Sequence, residues 1–333
     1  MEQRLIEIVL PEGKGDDIPE LLHEQILCGY WRDSVGEKQA RIRILLNRDD
    51  VETVLDILEP YLEGLPDASA LLLIVEASIP RKKEKKVEDT AERANEENKE
   101  KKANRISRHE LYNDIIANTG LSSTYLLMVF LSAVIAAIGL VRNDMAIIIG
   151  AMVLAPLLIP NVGLALASTL GDSELALKSL KAAVVGLLLA LAIGVIIGFV
   201  SPVVPENPAL AARTNLHWTD LVLALASGAA GVLAFTSGGQ LSLIGVMVAV
   251  ALMPPIVTAG LFFGSSMPLL GFKALELAAA NVICVNLAGI VTFSLQGIRP
   301  ATWWEKSRAG KAKRRALVIW VSLLVMLALI LLR

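Results

Sequence analysis

Pro156, Pro160, Asn161, Pro254, Pro255, Thr258, Asn281 and Asn286 are the residues whose types and spacing carry chemistry in the apolar part of this chain. A proline inside a helix has no N–H to donate, and its ring clashes with the preceding turn, so it frees backbone carbonyls. In hydrocarbon those carbonyls are costly unless protein, water or a ligand satisfies them. Asparagine and threonine beside such breaks can meet a small solute through hydrogen bonds. Ser227 and the polar turn Thr236–Ser237–Gly238–Gly239–Gln240 add to the same set. For any one of these residues the plainer reading is hydrogen-bonded glue between helices. Two proline-broken spans with polar residues just beyond them point to a polar site between two halves.

Other chemistries are not expected. His23, His109 and His217 are scattered, and no H-E-x-x-H, G-x-S-x-G or close pair of intramembrane acids is present, so an enzyme is not expected. The two cysteines, Cys28 and Cys284, form neither a disulfide framework nor a C-x-x-C site, and no metal or cofactor is expected. Glu276 is the acid best placed within a span; Lys273, one turn away, is its expected partner at the boundary.

The elements that must position these residues are hydrophobic segments near 121–140, 145–169, 176–200, 219–236, 241–263, 270–296 and 316–332, most of them near the roughly 20 residues a bilayer core requires. With 54% hydrophobic residues and a mean hydropathy of +0.59, the chain exceeds the about 45–50% apolar content of a soluble domain. The expectation is an α-helical polytopic membrane protein of about seven spans. Lys99, Lys101, Lys102, Arg105 and Arg108 precede the first span; Arg299, Lys306, Arg308, Lys311, Lys313, Arg314 and Arg315 follow the sixth. Six crossings put both clusters on one side, which the positive-inside rule makes cytoplasmic. Lys178 and Lys181 fall on that side, and the Pro-rich loop 201–218 falls outside. Trp303 and Trp304 suit a headgroup anchor.

Before the spans, residues 4–10, 30–34, 40–46 and 70–76 read as strands, the first and last as buried ones. Two helix signals lie between them, one capped by Asp16 or Asp17 and one by Asp49 or Asp50. The order β-α-β-β-α-β is the ferredoxin-like, split βαβ arrangement. Residues 81–105, almost without apolar side chains, read as a solvated linker rather than a nucleic-acid arm, because glutamates interleave the lysines. Ile106, Leu111, Ile115 and Ile116 give 106–118 an amphipathic face for the membrane surface. The N-terminus carries acids and too short an apolar run for a signal peptide, so the first domain is expected to stay cytoplasmic.

An internal repeat runs through the spans. IGAMVLAPLLIP (149–160) lies without gaps over IGVMVAVALMPP (244–255), 95 positions later. Gly150/Gly245, Met152/Met247 and Pro160/Pro255 coincide, and the register continues through Lys178/Lys273 and Gly194/Gly289. Each unit holds three spans. Three is odd, so the second unit enters from the opposite side, which is the inverted-repeat pattern of many secondary transporters. The expected organisation is therefore a cytoplasmic α+β domain at 1–80, a linker and interfacial helix at 81–120, a first repeat at 121–200, an external loop at 201–218, a second repeat at 219–296, and a basic segment with a terminal span at 297–333.

The paired motifs GAMVLAPLLIP and GVMVAVALMPP, behind a small soluble domain and a charged linker, resemble the prokaryotic "uncharacterised hydrophobic domain" family, domain of unknown function number three hundred and eighty-nine. The resemblance covers roughly residues 107–296. It implies the topology, a prokaryotic cytoplasmic membrane and no particular activity. The functional expectation is a transporter or facilitator of a small neutral or anionic solute, regulated by the cytoplasmic domain. An oligomeric channel gated by that domain and a sensor or scaffold without flux are the alternatives. Expected partners are the lipid bilayer, the solute and further copies of the chain, with no nucleic acid.

Overall fold

The computed structural model describes residues 3–22, 28–35, 39–65, 67–75, 108–237, 252–298 and 303–331. The expected linker at 81–105, Gly238, Gly239 and Gln240 of the polar turn, and most of the second repeat motif lie outside the described residues. The chain forms two compact units, Met1–Glu110 and Leu111–Arg333.

In the first unit, β1 (Gln3–Pro11), α1 (Ile18–Leu21), β2 (Gly29–Val35), β3 (Gln39–Asn47), α2 (Val51–Glu63) and β4 (Ser69–Val75) follow in order. The four strands make one sheet ordered β2-β3-β1-β4, antiparallel at every pairing. Because β3 lies between β1 and β2, the first connection is a split βαβ unit. Alternation along β1 and β3 turns Ile6, Ile8, Leu10, Ile42, Ile44 and Leu46 to one face, where they are fully buried against Ile18, Leu22, Val51, Val54 and Leu58. Truncating one such side chain, Ile44→Ala for instance, removes about 2–5 kcal/mol.

Two expectations for this unit are corrected. Strand β4 is not buried: it is the sheet edge, and Leu71, Leu73 and Ile74 are exposed. Two of the aspartates expected to cap do not. Asp17 and Asp50 hold the N-cap positions without side-chain cap bonds. Asp17 instead accepts from the Tyr61 hydroxyl at 2.6 Å, which ties the start of α1 to α2.

The second unit is helical: α3 (Arg108–Asn118), α4 (Ser123–Val141), α5 (Met145–Leu154), α6 (Leu158–Leu170), α7 (Ser173–Val200), α8 (Pro208–Ala211), α9 (Trp218–Ser237), α10 (Met253–Gly264), α11 (Pro268–Leu295) and α12 (Trp303–Leu331). Among the described residues α4, α7, α9 and α11 are each long and apolar enough to cross a membrane, and α5 with α6, bent by 46°, makes up to a fifth span. Their outward faces carry large apolar side chains such as Leu127, Leu188, Phe199 and Val200. An apolar surface of that extent suits lipid rather than water. Helix α10 has 12 described residues.

Caps punctuate the spans. Ser122 accepts from Tyr125 N–H, Asp144 from Ala146 and Ile147 N–H, and Asp172 from Glu174 and Leu175 N–H. Each satisfies orphan donors at a helix start. The loop after α7 folds back onto the end of α4, where Asn207 donates to the carbonyls of Leu140 and Val141. Between α6 and α7, Gly171 takes the left-handed conformation at φ 77°. Between α10 and α11, Ser266 takes it at φ 59°.

The tightest packing joins α7 to α10. A β-carbon at Gly194 would lie 2.7 Å from the Val257 carbonyl oxygen, and one at Gly264 only 2.9 Å from the Cα of Gly198. Two G-x-x-x-G runs, Gly194/Gly198 and Gly260/Gly264, thus let the backbones touch.

Candidate functional site

The site starts at the break between α5 and α6. Ala155 N–H closes the last turn of α5 on the Ala151 carbonyl. Pro156 follows, has no N–H, and leaves the Met152 carbonyl without its helical donor. Ala155 turns to extended backbone, and α6 begins at Leu158. The other prolines act differently from the expectation. Pro160 sits in the first turn of α6, and Pro254 and Pro255 in the first turn of α10. At that position a helix has no use for the N–H, so proline removes an orphan donor of the helix that it opens. Of the four prolines, Pro156 alone is at a break within the described residues.

Asn161 is one turn into α6. Its Nδ2 donates to the Leu157 carbonyl at 2.8 Å, which turns its Oδ1 toward α11. There Asn286 Nδ2 donates to Asn161 Oδ1 at 2.9 Å and to the Val282 carbonyl at 2.9 Å. Both amide orientations are therefore fixed, since reversing either would set oxygen against oxygen. What remains is Asn286 Oδ1, which has no partner among the described residues. Asn286 is fully buried and Asn161 nearly so. A buried acceptor left alone costs about 1–3 kcal/mol, and a ligand N–H or O–H would satisfy it.

Thr258 is also fully buried on α10, and its hydroxyl has no partner among the described residues. No hydrogen bond joins it to the asparagine pair. Asn281 is buried on α11, five residues and so about 140° around the helix from Asn286. Of the residues expected to form a site, the structure brings Asn161 and Asn286 together, next to Pro156. Ser227 is buried on α9. Thr236 bonds the Leu233 carbonyl and accepts from Gln296 Nε2 at 2.7 Å, an α9–α11 tie. Glu276 and Lys273 form no ion pair among the described residues; Lys273 is exposed and Glu276 half-buried. No group of three metal-ligating side chains occurs among the described residues.

A second polar cluster went unread in the sequence. It gathers α3, α6 and α7. Tyr112 donates to the Asp172 carboxylate, and Lys178 Nζ donates to the Ile116 carbonyl at 2.9 Å near the end of α3. A cation there suits the negative end of the helix. Burial, with the Asp172 carboxylate alongside, pushes the Tyr112 phenol well above its ordinary range. Among the same helices, Thr119 and Ser179 hydroxyls flank Gly163, at 3.1 and 2.7 Å from where its β-carbon would be, both buried and without a partner among the described residues. Asp172 was legible: an Asp directly before an apolar helix is a start signal.

Comparison with known proteins adds two findings. A family model described as "Domain of unknown function (DUF389)" matches residues 152–287, a stretch that contains both Asn161 and Asn286. The chain is 34% identical over 284 residues, 85% of each chain, to "Uncharacterized protein MJ0678" of Methanocaldococcus jannaschii. No solved structure matches.

Proposed function

The chain belongs to the DUF389 family, and we propose that it is a membrane transporter or facilitator for a small neutral or anionic solute, bound at Asn286 beside the α5–α6 break. The observation that carries this reading is the orphan Asn286 Oδ1, held in one orientation by Asn161. A solute offering an N–H or O–H meets that oxygen. The start of α6, without a side-chain cap and with N–H groups at Leu158 and Ile159 ahead of Pro160, favours the electron-rich end of such a solute.

An inverted repeat underlies the proposal, and several features support it. Helices α4, α6 and α7 begin at residues 123, 158 and 173, while α9, α10 and α11 begin at 218, 253 and 268, each 95 positions later. The left-handed turns at Gly171 and Ser266 keep the same spacing. So do the contacts: Gly194 meets Gly260, and Gly289 meets Ala165, each residue exchanged for its counterpart in the other half. In this reading seven spans cross a prokaryotic cytoplasmic membrane. The basic clusters and the N-terminal domain are inside, where the domain regulates flux.

The test is uptake by liposomes holding the full-length protein, screened with labelled hydroxylated neutral and anionic solutes, beside Asn286→Leu. Saturable uptake lost in a variant whose thermal unfolding is unchanged supports the proposal. Fast, non-saturating ion flux replaces it with the gated channel. No flux with any solute leaves a sensor, to be pursued through ligand binding by the N-terminal domain.

A further inference from the structure

We infer that two copies of this chain pair through the free edge of β4, each inserting Ile74 into the other's groove between α2 and β4. Among the described residues strand β4 is bonded to β1 along one edge only, so the backbone groups on its other edge are unpaired within the described sheet. Free edges invite strand addition, and proteins that avoid it place lysine, proline or a bulge there. The strand SALLLIV carries none of these and no charge. Its large side chains stand out instead, with Leu71 53%, Leu73 44% and Ile74 65% exposed.

The geometry of the edge selects the occupant. Ala70 and Leu72 pair with Ile8 and Ile6 of β1, which puts even-numbered β4 residues on the helix-covered face. On that face a groove of about 380 Å³ opens between α2 and β4, lined by Leu55, Leu58, Glu59, Leu62, Ala68 and Ala70. An antiparallel pair of identical strands with Leu72 on the two-fold axis sets Ile74 of one copy across from Ala70 of the other. The exposed Ile74 then enters the groove that its own chain offers in return. On the opposite face the same register sets Leu71 across from Leu73. Knob and groove on one strand at two-fold spacing make the edge self-complementary, as an isologous interface requires. One strand edge is a small interface, and tethering to a common membrane raises the effective concentration at which it forms.

Site-specific cross-linking of the full-length protein in membranes tests this, in a background with Cys28→Ala and Cys284→Ala. Facing residues of an antiparallel pair have Cα atoms about 4.5–5.5 Å apart, within reach of a disulfide. The variant Ala70→Cys, Ile74→Cys is expected to oxidise to a covalent dimer. The variant Leu71→Cys, Ile74→Cys, whose cysteines stand on opposite faces, is expected to cross-link at least tenfold more slowly. Both changed positions in the first pair are exposed, so folding survives, as an unchanged melting temperature would show. Separately, Ile74→Lys is expected to lower the dimer-to-monomer ratio in native mass spectrometry by tenfold or more. Equal cross-linking of the two variants, no cross-linking in either, or a ratio unmoved by Ile74→Lys overturns the inference.

Discussion

Gly194 and Gly260 meet backbone to backbone: a β-carbon on Gly260 would lie 2.8 Å from the Cα of Gly194 and 2.4 Å from the Leu191 carbonyl oxygen. Neither neighbour is a flexible side chain, so nothing can give way cheaply. Gly260→Ala is expected to force α7 and α10 apart at a cost of about 1–3 kcal/mol, read as a lowered thermal or denaturant midpoint in detergent. Gly150 is the control. It lies in α5 with nothing within 4 Å of its missing β-carbon, so Gly150→Ala should gain about 0.5–1 kcal/mol from helix propensity. Equal destabilisation by the two changes would remove the close-packing account.

The turns at Gly171 and Ser266 give a second paired prediction. Both residues are left-handed, a conformation that costs a residue with a side chain roughly 1–2 kcal/mol. Gly171→Ala should destabilise by about 1 kcal/mol, and Ser266→Gly should stabilise by a similar amount. The sign of the Ser266→Gly change is the decisive reading; a loss of stability would mean that the serine side chain contributes more than its backbone costs.

Tyr112 predicts a pH dependence. Its phenol is pushed above the ordinary value of 10.0, first by burial and then by the hydrogen bond to Asp172. Above pH 10 the unfolded chain loses this proton more readily than the folded one, so stability falls as pH rises further. The contribution is fully present at neutral pH. Melting temperatures taken from pH 8 upward should decline above pH 10, and Tyr112→Phe should flatten that part of the decline. An identical profile in the variant would show that other groups govern the alkaline limb.

The asparagine pair predicts non-additive energetics. Asn286→Ala strands Asn161 Oδ1 in the interior at a cost of about 1–3 kcal/mol. Replacing both residues with leucine removes both orphans, so the double variant Asn161→Leu, Asn286→Leu should cost less than the sum of the two single leucine changes. The proposed function adds that this double variant, folded as it is, takes up no solute. Additive unfolding free energies would mean that the two amides do not act as one unit.

The bounds of 4–10 and 40–46 were legible to within a residue at each end; alternation in 40–46 reports a half-covered sheet directly, whereas 4–10 reads as a buried strand and is covered on one face only. Strand β4 misled for the same reason. SALLLIV reads as buried on both faces, but its place at the sheet edge comes from the split βαβ topology, which its own residues do not encode. In the membrane-type unit the prolines marked helix ends correctly but not which side of the end they occupy. Pro160, Pro254 and Pro255 open helices, and that depends on where the chain resumes helical geometry. Asn161 and Asn286 were each visible, yet their meeting is a property of how α6 packs on α11, 125 residues apart in sequence. The G-x-x-x-G pairs were readable in principle; apolar spans are so rich in glycine that the two runs did not stand out.

The α7–α10 contact also bears on how the chain comes to be made. Helix α7 is complete, with the trough over Gly194 and Gly198 open, well before α10 has been synthesised. Until Gly260 and Gly264 arrive, that trough faces lipid or a stray helix, with no side chains of its own to fill it. A chain released after the loop at 201–217 would therefore keep an unfilled seam, and small-residue seams of this kind invite a substitute from another protein. The later half of the molecule thus serves the earlier half as its delayed folding partner.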